Sequence, residues 1–308
     1  MTPTLETNST LFEIRQEYLE QYRFFEAQNK SRFTDAPPQP YALQALDPNH
    51  QLRNRYGDIT PYQENIFRFQ NPNLYFNASR VLQGRAISCQ GPLDNEHAHF
   101  WRMVWESQTT AIIMLTDLVE KDLLKCSWYL PQGTGAELPP KYELPEGLEV
   151  TVTQVDGPPR PPAGYSLRGF TALVERRLEL QYKGEKRTVV HYHLRGWGDF
   201  KTAPEVILTK LVMLVWERHF SKGEHILSHC SAGVGRSGTF LAILEAVSQL
   251  KKAPVSTDLV FNIVKHLRSF DHGREGMVQN VDQYGLIFKT LAILDTSCAQ
   301  QFCLQASL

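Results

Sequence analysis

Residues 225–240 read HILSHCSAGVGRSGTF: a short apolar run enters a glycine-rich loop and leaves it as a helix. Such a turn can hold an anion. Gly233 and Gly235 let backbone amides turn inward without steric cost, and the helix that follows aims its unpaired N-terminal amides and positive dipole end at the same point. The amides of Ser231, Ala232, Gly233, Val234 and Gly235 are therefore the expected phosphate cradle. Five residues separate Cys230 from Arg236, so a loop curled around a phosphate brings the sulfur beneath the phosphorus while the guanidinium grips two equatorial oxygens. A helix N-terminus and a nearby cation lower a cysteine pKa from about 8.5 into roughly the 3.5–7.5 range, which supplies a thiolate nucleophile at neutral pH. His229 is expected to orient the loop, and the Ser237 hydroxyl to donate to the thiolate as it leaves. This chemistry requires no metal and no cofactor. A Walker-type nucleotide loop is excluded, because no GK[ST] follows the glycines.

The same residues match the signature HCxxGxGR[ST]G through His229, Cys230, Gly233, Gly235, Arg236, Ser237 and Gly238. In this the sequence resembles the tyrosine-specific, cysteine-dependent protein phosphatases, and the resemblance extends over about 45–295. A thiol solves half of a phosphate-ester hydrolysis: the departing phenolate needs a proton, and the thiophosphate intermediate needs an activated water. Trp197, Gly198 and Asp199 resemble the family's Trp-Pro-Asp loop, which makes Asp199 the implied acid and base, with Pro204 at the far end of the loop. Gly198 departs from the usual Pro, so closure of the loop is expected to cost more entropy and to affect turnover more than binding.

Asn54, Arg55, Tyr56 and Asp58 (NRYGDI) resemble the family's substrate wall. Tyr56 would stack on the substrate ring and set a depth that phosphotyrosine spans and phosphoserine does not, and Asp58 would bind substrate backbone amides. Glu120 and Lys125 resemble a pair beside the active site, with Glu120 holding Arg236. QGPL (90–93) and FWRMVWE (100–106) resemble structural supports of the loop. Gln279 and Gln283 resemble the water-positioning glutamines, and stand four apart, on one face if that stretch is helical. Arg274 reads either as a structural ion-pair partner or as a contact to acidic substrate residues.

These segments need a scaffold to bring them together. With 308 residues and 42% hydrophobic content the chain can bury a sizeable core. Leu11, Ile14, Tyr18, Leu19, Tyr22 and Phe25 recur at helical spacing, predicting an amphipathic helix over about 11–30, which Pro37, Pro38 and Pro40 end. Ala111–Leu115 reads as a buried strand, 172–182 and 188–193 as paired strands, and 205–220, 237–250, 256–270 and 279–294 as helices. From Pro131 to Pro162 the Pro and Gly density resembles a linker, kept here inside one domain. The expectation is an α/β fold of the tyrosine-phosphatase kind, with a central twisted mixed sheet flanked by helices. Residues 1–40 form a helical extension and 41–308 the catalytic domain.

Thirty-two Lys and Arg against thirty-three Asp and Glu leave a net charge of -1, which excludes a global field for nucleic acid or an anionic membrane. The five cysteines form no CxxC pair, so free thiols in a reducing compartment are expected. No apolar run approaches the roughly 20 residues that span a bilayer. The polar first ten residues suit an unstructured start or an uncleaved export signal. The implied function is a protein tyrosine phosphatase acting on phosphotyrosine-containing proteins, in the cytoplasm or as a bacterial effector in a host cytosol. The rivals are a phosphotyrosine-binding module, which would have lost the acid that is present here, and a phosphoinositide phosphatase, which would carry basic residues where this loop has SAGVG.

Overall fold

A computed structural model describes residues 6–31, 52–131, 141–156, 171–250 and 256–305, with side chains over 16–29, 52–131, 143–156, 171–250 and 256–294. Its centre is an eight-stranded mixed sheet of order β1-β2-β10-β3-β9-β8-β7-β6. The strands are β1 (Ala78–Val81), β2 (Ala86–Cys89), β3 (Thr109–Met114), β6 (Lys141–Glu143), β7 (Glu149–Asp156), β8 (Ala172–Tyr182), β9 (Glu185–Arg195) and β10 (His225–His229). A separate two-stranded hairpin joins β4 (Val119–Glu120) to β5 (Leu123–Leu124). The helices are α1 (Glu6–Ser31), α2 (His97–Glu106), α3 (Glu205–Arg218), α4 (Gly235–Gln249), α5 (Thr257–Leu267) and α6 (Val281–Gln305).

The sheet is parallel in its middle and antiparallel at its sides. β10 lies parallel between β2 and β3, and β3 parallel to β9. Because successive strand residues point to opposite faces, Ile226 enters one core with Ala111, Ile113, Leu211 and Leu241, while Leu227 enters the other with Ile112, Met114, Phe100 and Trp101. Both faces of β10 are thus covered, and its burial is nearly continuous, as a central parallel strand requires. β8 alternates buried and less buried residues along its length. It turns into β9 through Lys183 and Gly184, both in the left-handed region (φ 50° and 83°), the geometry of a two-residue hairpin that matches strand twist.

The predicted strands and helices form, with shifted ends. α6 begins at Val281 rather than 279, because Asn280 caps it: its Oδ1 accepts from the Gln283 N–H at 2.8 Å. Gln279 is therefore outside the helix, and the two glutamines do not share a helical face. The linker-like reading of 131–162 fails over 141–156, where β6 and β7 extend the sheet. EVTVTQVD alternates β-branched residues, and the register sets Val150 opposite Leu180 and Val152 opposite Leu178, which burial stabilises. Residues 132–140 and 157–162, and the connector at Pro37, Pro38 and Pro40, lie outside the described residues. So do residues 1–5 of the polar start, whereas Glu6–Thr10 belong to α1.

Helix α1 packs on α5 and α6. Tyr22 and Phe25 are buried, and Tyr18, Tyr22 and Phe25 meet Tyr284, Phe288 and Phe261 in a cluster of stacked, tilted and edge-on rings. Such pairs add to the hydrophobic burial of the rings themselves.

Candidate active site

The parallel strands point their carboxyl ends to one edge of the sheet, the place where open α/β sheets hold ligands. β10 ends there at His229 and runs into the cradle, and α4 starts at Gly235. Glycine is obligatory at 233: its φ is +77°, and a Cβ there would lie 2.2 Å from the Cys89 carbonyl oxygen. At Gly235 a Cβ would lie 2.3 Å from Gln279 Oε1, so the bare backbone is what lets the glutamine lie against the cradle.

Cys230 is buried, and the Gly233 N–H donates to its Sγ at 3.2 Å. Burial alone would raise the thiol pKa. The Arg236 charge, the nearby Ser237 hydroxyl and the Ser237 and Gly233 amides outweigh burial and hold it below its ordinary value. Cys126, by contrast, is pushed up to about 12 by burial, and Cys89 goes well above its ordinary value for the same reason. Of the three described cysteines, all free thiols, Cys230 is the one set to ionise.

Arg236 is buried and donates from Nη1 to Glu120 Oε1 at 2.5 Å and to the Trp197 carbonyl at 2.6 Å, while Nη2 lies 3.4 Å from Asp199 Oδ1. Its Nε and the Ser237 hydroxyl are buried without a protein partner in hydrogen-bonding geometry. Two buried donors of this kind are able to take up oxyanion oxygens. Glu120 joins the arginine to the backbone of Asp199: Oε1 also accepts from Thr116 at 2.9 Å and Oε2 from the Asp199 N–H at 2.7 Å. Lys125 Nζ donates to Asp199 Oδ2 at 2.9 Å. Trp197 is fully buried, with its indole N–H on the Lys201 carbonyl at 2.8 Å, so the loop is docked over Arg236. A Cβ at Gly198 would meet only the Lys201 side chain, at 3.5 Å; contacts do not impose glycine at this position.

The other expected residues converge on the same place. The Tyr56 hydroxyl lies 2.9 Å from Ser231 Oγ, which itself donates to the Lys125 carbonyl at 2.9 Å. Asp58 is exposed. Gln279 N–H donates to Gln283 Oε1 at 2.9 Å, and Gln283 is buried. Val234 in the cradle accepts from the Val278 N–H at 3.1 Å.

Several supporting residues were not assigned from the sequence. Arg55 staples the NRYGDI segment to 90–93 and to β5, donating to the carbonyls of Gly91, Pro92 and Leu124 at 3.1, 2.7 and 3.1 Å. Arg274, left open between two roles, is buried and donates to Ser88 O, Asn77 Oδ1 and Ala232 O at 3.0, 2.6 and 3.3 Å; it props the cradle from behind. Tyr129 links two histidines, its hydroxyl lying 2.7 Å from His229 Nε2 and 2.8 Å from His191 Nε2. Trp101 donates to the Tyr129 carbonyl at 3.0 Å, which ties FWRMVWE to this chain. No short-range pattern marks these contacts, since each partner is far away along the sequence.

His229 is fully buried, and burial lowers its pKa to about 4; burial likewise takes His191 and His193 well below their ordinary value. The unfolded chain protonates these rings near pH 6.5 while the folded protein resists, so between those values the unfolded state binds more protons and stability falls with falling pH. Moving from 6.5 to about 4 puts the His229 share alone on the order of 3 kcal/mol. The urea midpoint is therefore expected to be flat above about pH 7 and to drop steeply from about pH 6.5 toward 4. A midpoint unchanged between pH 7 and 5 would show that the rings are not buried neutral.

The model of the protein-tyrosine phosphatase family matches residues 50–293. Human tyrosine-protein phosphatase non-receptor type 2 is 34% identical over 257 residues, 80% of this chain and 57% of the relative. Tyrosine-protein phosphatase 3 of Schizosaccharomyces pombe is 33% identical over 219 residues, 67% of this chain and 68% of the relative. A structure of PTPN18 in complex with HER2-pY1196 phosphopeptides superposes with a TM-score of 0.75 at 21% identity, covering 92% of this chain and 98% of that one; the likeness shows the fold. The chain belongs to the protein-tyrosine phosphatase family. It spans little more than half of the type 2 relative, and 9% of the mouse non-receptor type 13 relative, which is 32% identical over 250 residues.

Proposed function

We propose that this chain hydrolyses phosphotyrosine in proteins through a phosphocysteine intermediate, with residues 41–308 as the catalytic domain. The observation that carries the reading is a thiol held below its ordinary pKa inside an amide cradle, beside an arginine that Glu120 connects to the acid loop. The Cys230 thiolate attacks phosphorus, the P–O bond to the tyrosine breaks, and the leaving phenolate takes a proton from Asp199. Arg236 and the amides of 231–235 carry the charge of the equatorial oxygens as it shifts. Water, oriented by Gln279 and Gln283, then attacks phosphorus as the S–P bond breaks, and one of its protons passes to Asp199. Phosphate leaves and the thiolate returns, assisted by Ser237. No cofactor takes part.

Tyr56 is the depth gauge in this reading, since its hydroxyl contact to Ser231 anchors a wall of the pocket. Peptides carrying phosphotyrosine are expected to turn over with kcat/KM at least about 10³ above the same peptides carrying phosphoserine, a margin of some 4 kcal/mol. Comparable rates on both would replace the tyrosine-specific reading with that of a broad phosphatase. Among the described residues no helix is long and apolar enough to cross a membrane. A reducing compartment, the cytoplasm, is proposed as the place of action on the ground of the three described cysteines, which are free thiols. The bacterial-effector alternative rests on Gly198, the departure from the family's Trp-Pro-Asp loop, and on the polar first ten residues, which also suit an unstructured start.

A further inference from the structure

Gln279 is held by the peptide plane that joins it to Val278, and that plane is pinned at both ends. The Gln279 N–H donates to Gln283 Oε1 at 2.9 Å. The Val278 carbonyl accepts from the Tyr22 hydroxyl and from Arg268 Nη1, each at 3.3 Å, and the Met277 carbonyl accepts from the same Nη1 at 3.0 Å. Arg268 Nη2 in turn donates to the Phe25 carbonyl at 3.4 Å and to Asn29 Oδ1. One guanidinium therefore bridges the backbone of α1 to the backbone before the glutamine. Tyr284 adds a third tie, donating to Gln21 Oε1 at 3.0 Å from the first turn of α6.

Val278 has φ +59°. A β-branched residue holds a left-handed backbone only where its surroundings over-determine it. Two groups of contacts do so here: the cradle on one side, through Val278 N–H to Val234 O at 3.1 Å, and Tyr22 with Arg268 on the other. The planar peptide transmits the constraint directly, because the 278 carbonyl and the 279 N–H cannot rotate independently. Freed from Tyr22 and Arg268, the plane can relax and the Gln279 side chain leaves its place against Gly235.

We propose that helix α1 positions the glutamine segment, with Tyr22 and Arg268 as positioning residues for the hydrolytic half-reaction. This inference rests on the phosphocysteine reading. Among the described residues, the groups that form the intermediate, Cys230, Arg236 and Asp199, receive no hydrogen bond from α1, so the effect is selective. A misplaced glutamine leaves the S–P bond open to other nucleophiles. An added alcohol then attacks phosphorus in place of water, its hydroxyl proton passing to Asp199 as the S–P bond breaks and an alkyl phosphate forms.

Tyr22→Phe keeps the ring packing and removes one donor; Arg268→Lys keeps the charge and cannot bridge both backbones. In rapid-quench turnover of an aryl phosphate, both variants are expected to keep the burst rate of aryl alcohol within about twofold of wild type. The steady rate should fall by about three- to tenfold, more for Arg268→Lys. With glycerol added, glycerol phosphate should rise relative to inorganic phosphate. Thermal midpoints are recorded alongside, because a merely structural role lowers the midpoint and both rates without moving this partition. A partition unchanged in both variants, or burst and steady rates falling in equal proportion, overturns the inference. A wild-type enzyme that shows no burst and no phosphorylated Cys230 overturns the phosphocysteine reading instead.

Discussion

Cys230→Ser is expected to reduce phosphotyrosine-peptide turnover by at least about 10⁴-fold, the scale on which enzymes lose rate with their nucleophile, while the peptide still binds. Every feature that activates position 230 acts on a thiol. The Arg236 charge and the amide of Gly233 favour a thiolate, but a serine hydroxyl is too weak an acid for the same field to ionise it. The cradle and Arg236 do not depend on the sulfur for their position. Arg236 is fixed by Glu120 and Trp197, and Ala232 by Arg274. Binding measured by calorimetry is accordingly expected to stay within about tenfold of wild type. Hydrolysis by the serine variant above that residual level would sink the assignment of the nucleophile. So would trapping of the phosphoryl group on Cys126 or Cys89, whose thiols burial keeps protonated.

The second large effect is on the proton. Asp199→Ala removes the carboxylate that Lys125 and Arg236 face at 2.9 and 3.4 Å. Aryl phosphates with poor leaving groups should slow by about 10²- to 10⁴-fold, the usual weight of general acid catalysis, whereas nitrophenyl-type groups, which leave without a proton, should slow far less. KM should not rise, because the two cations that remain still attract the phosphate dianion. A plot of rate against leaving-group pKa steepens in the variant if Asp199 is the acid. Equal slowing across the series would remove it from that role and revive the reading of the chain as a binding module.

The cradle was legible because it is contiguous: nucleophile, glycines and arginine follow one another in a single turn, and local chemistry alone explains their spacing. Asp199, Glu120, Lys125 and Tyr56 were legible through resemblance, and the structure brings all four to the cradle's mouth. What escaped is what long-range packing decides. Arg274 touches residues 77, 88 and 232, and Tyr129 reaches His191 and His229, pairings that no window along the chain contains. The strands at 141–156 were obscured by prolines and glycines on either side of them, although EVTVTQVD carries the alternation of a strand. Gln279 was expected on a helix, and the neighbouring Asn280 starts that helix two residues later by capping it. The N-terminal helix was legible as amphipathic; its tie to the Val278 carbonyl was not, because a backbone acceptor leaves no mark in the sequence.

The position of β10 also makes the sheet depend on a strand that comes late in the sequence. β2 and β3 do not pair with each other; β10, more than a hundred residues further along, slots between them. Without β10 the native pairings leave two partial sheets with facing open edges, one of β1 and β2 and the other of β3 and β9 with their neighbours. Open edges invite pairing with the wrong strand, and closures between segments so distant along the chain are slow. The strand that seals the gap is the one that ends at Cys230, so completing the sheet and assembling the nucleophile are a single event. A ribosome-bound chain halted short of His229 would carry neither an intact sheet nor a reactive thiol, and a substitution at Ile226 or Leu227 that weakened insertion would impair folding yield and chemistry together.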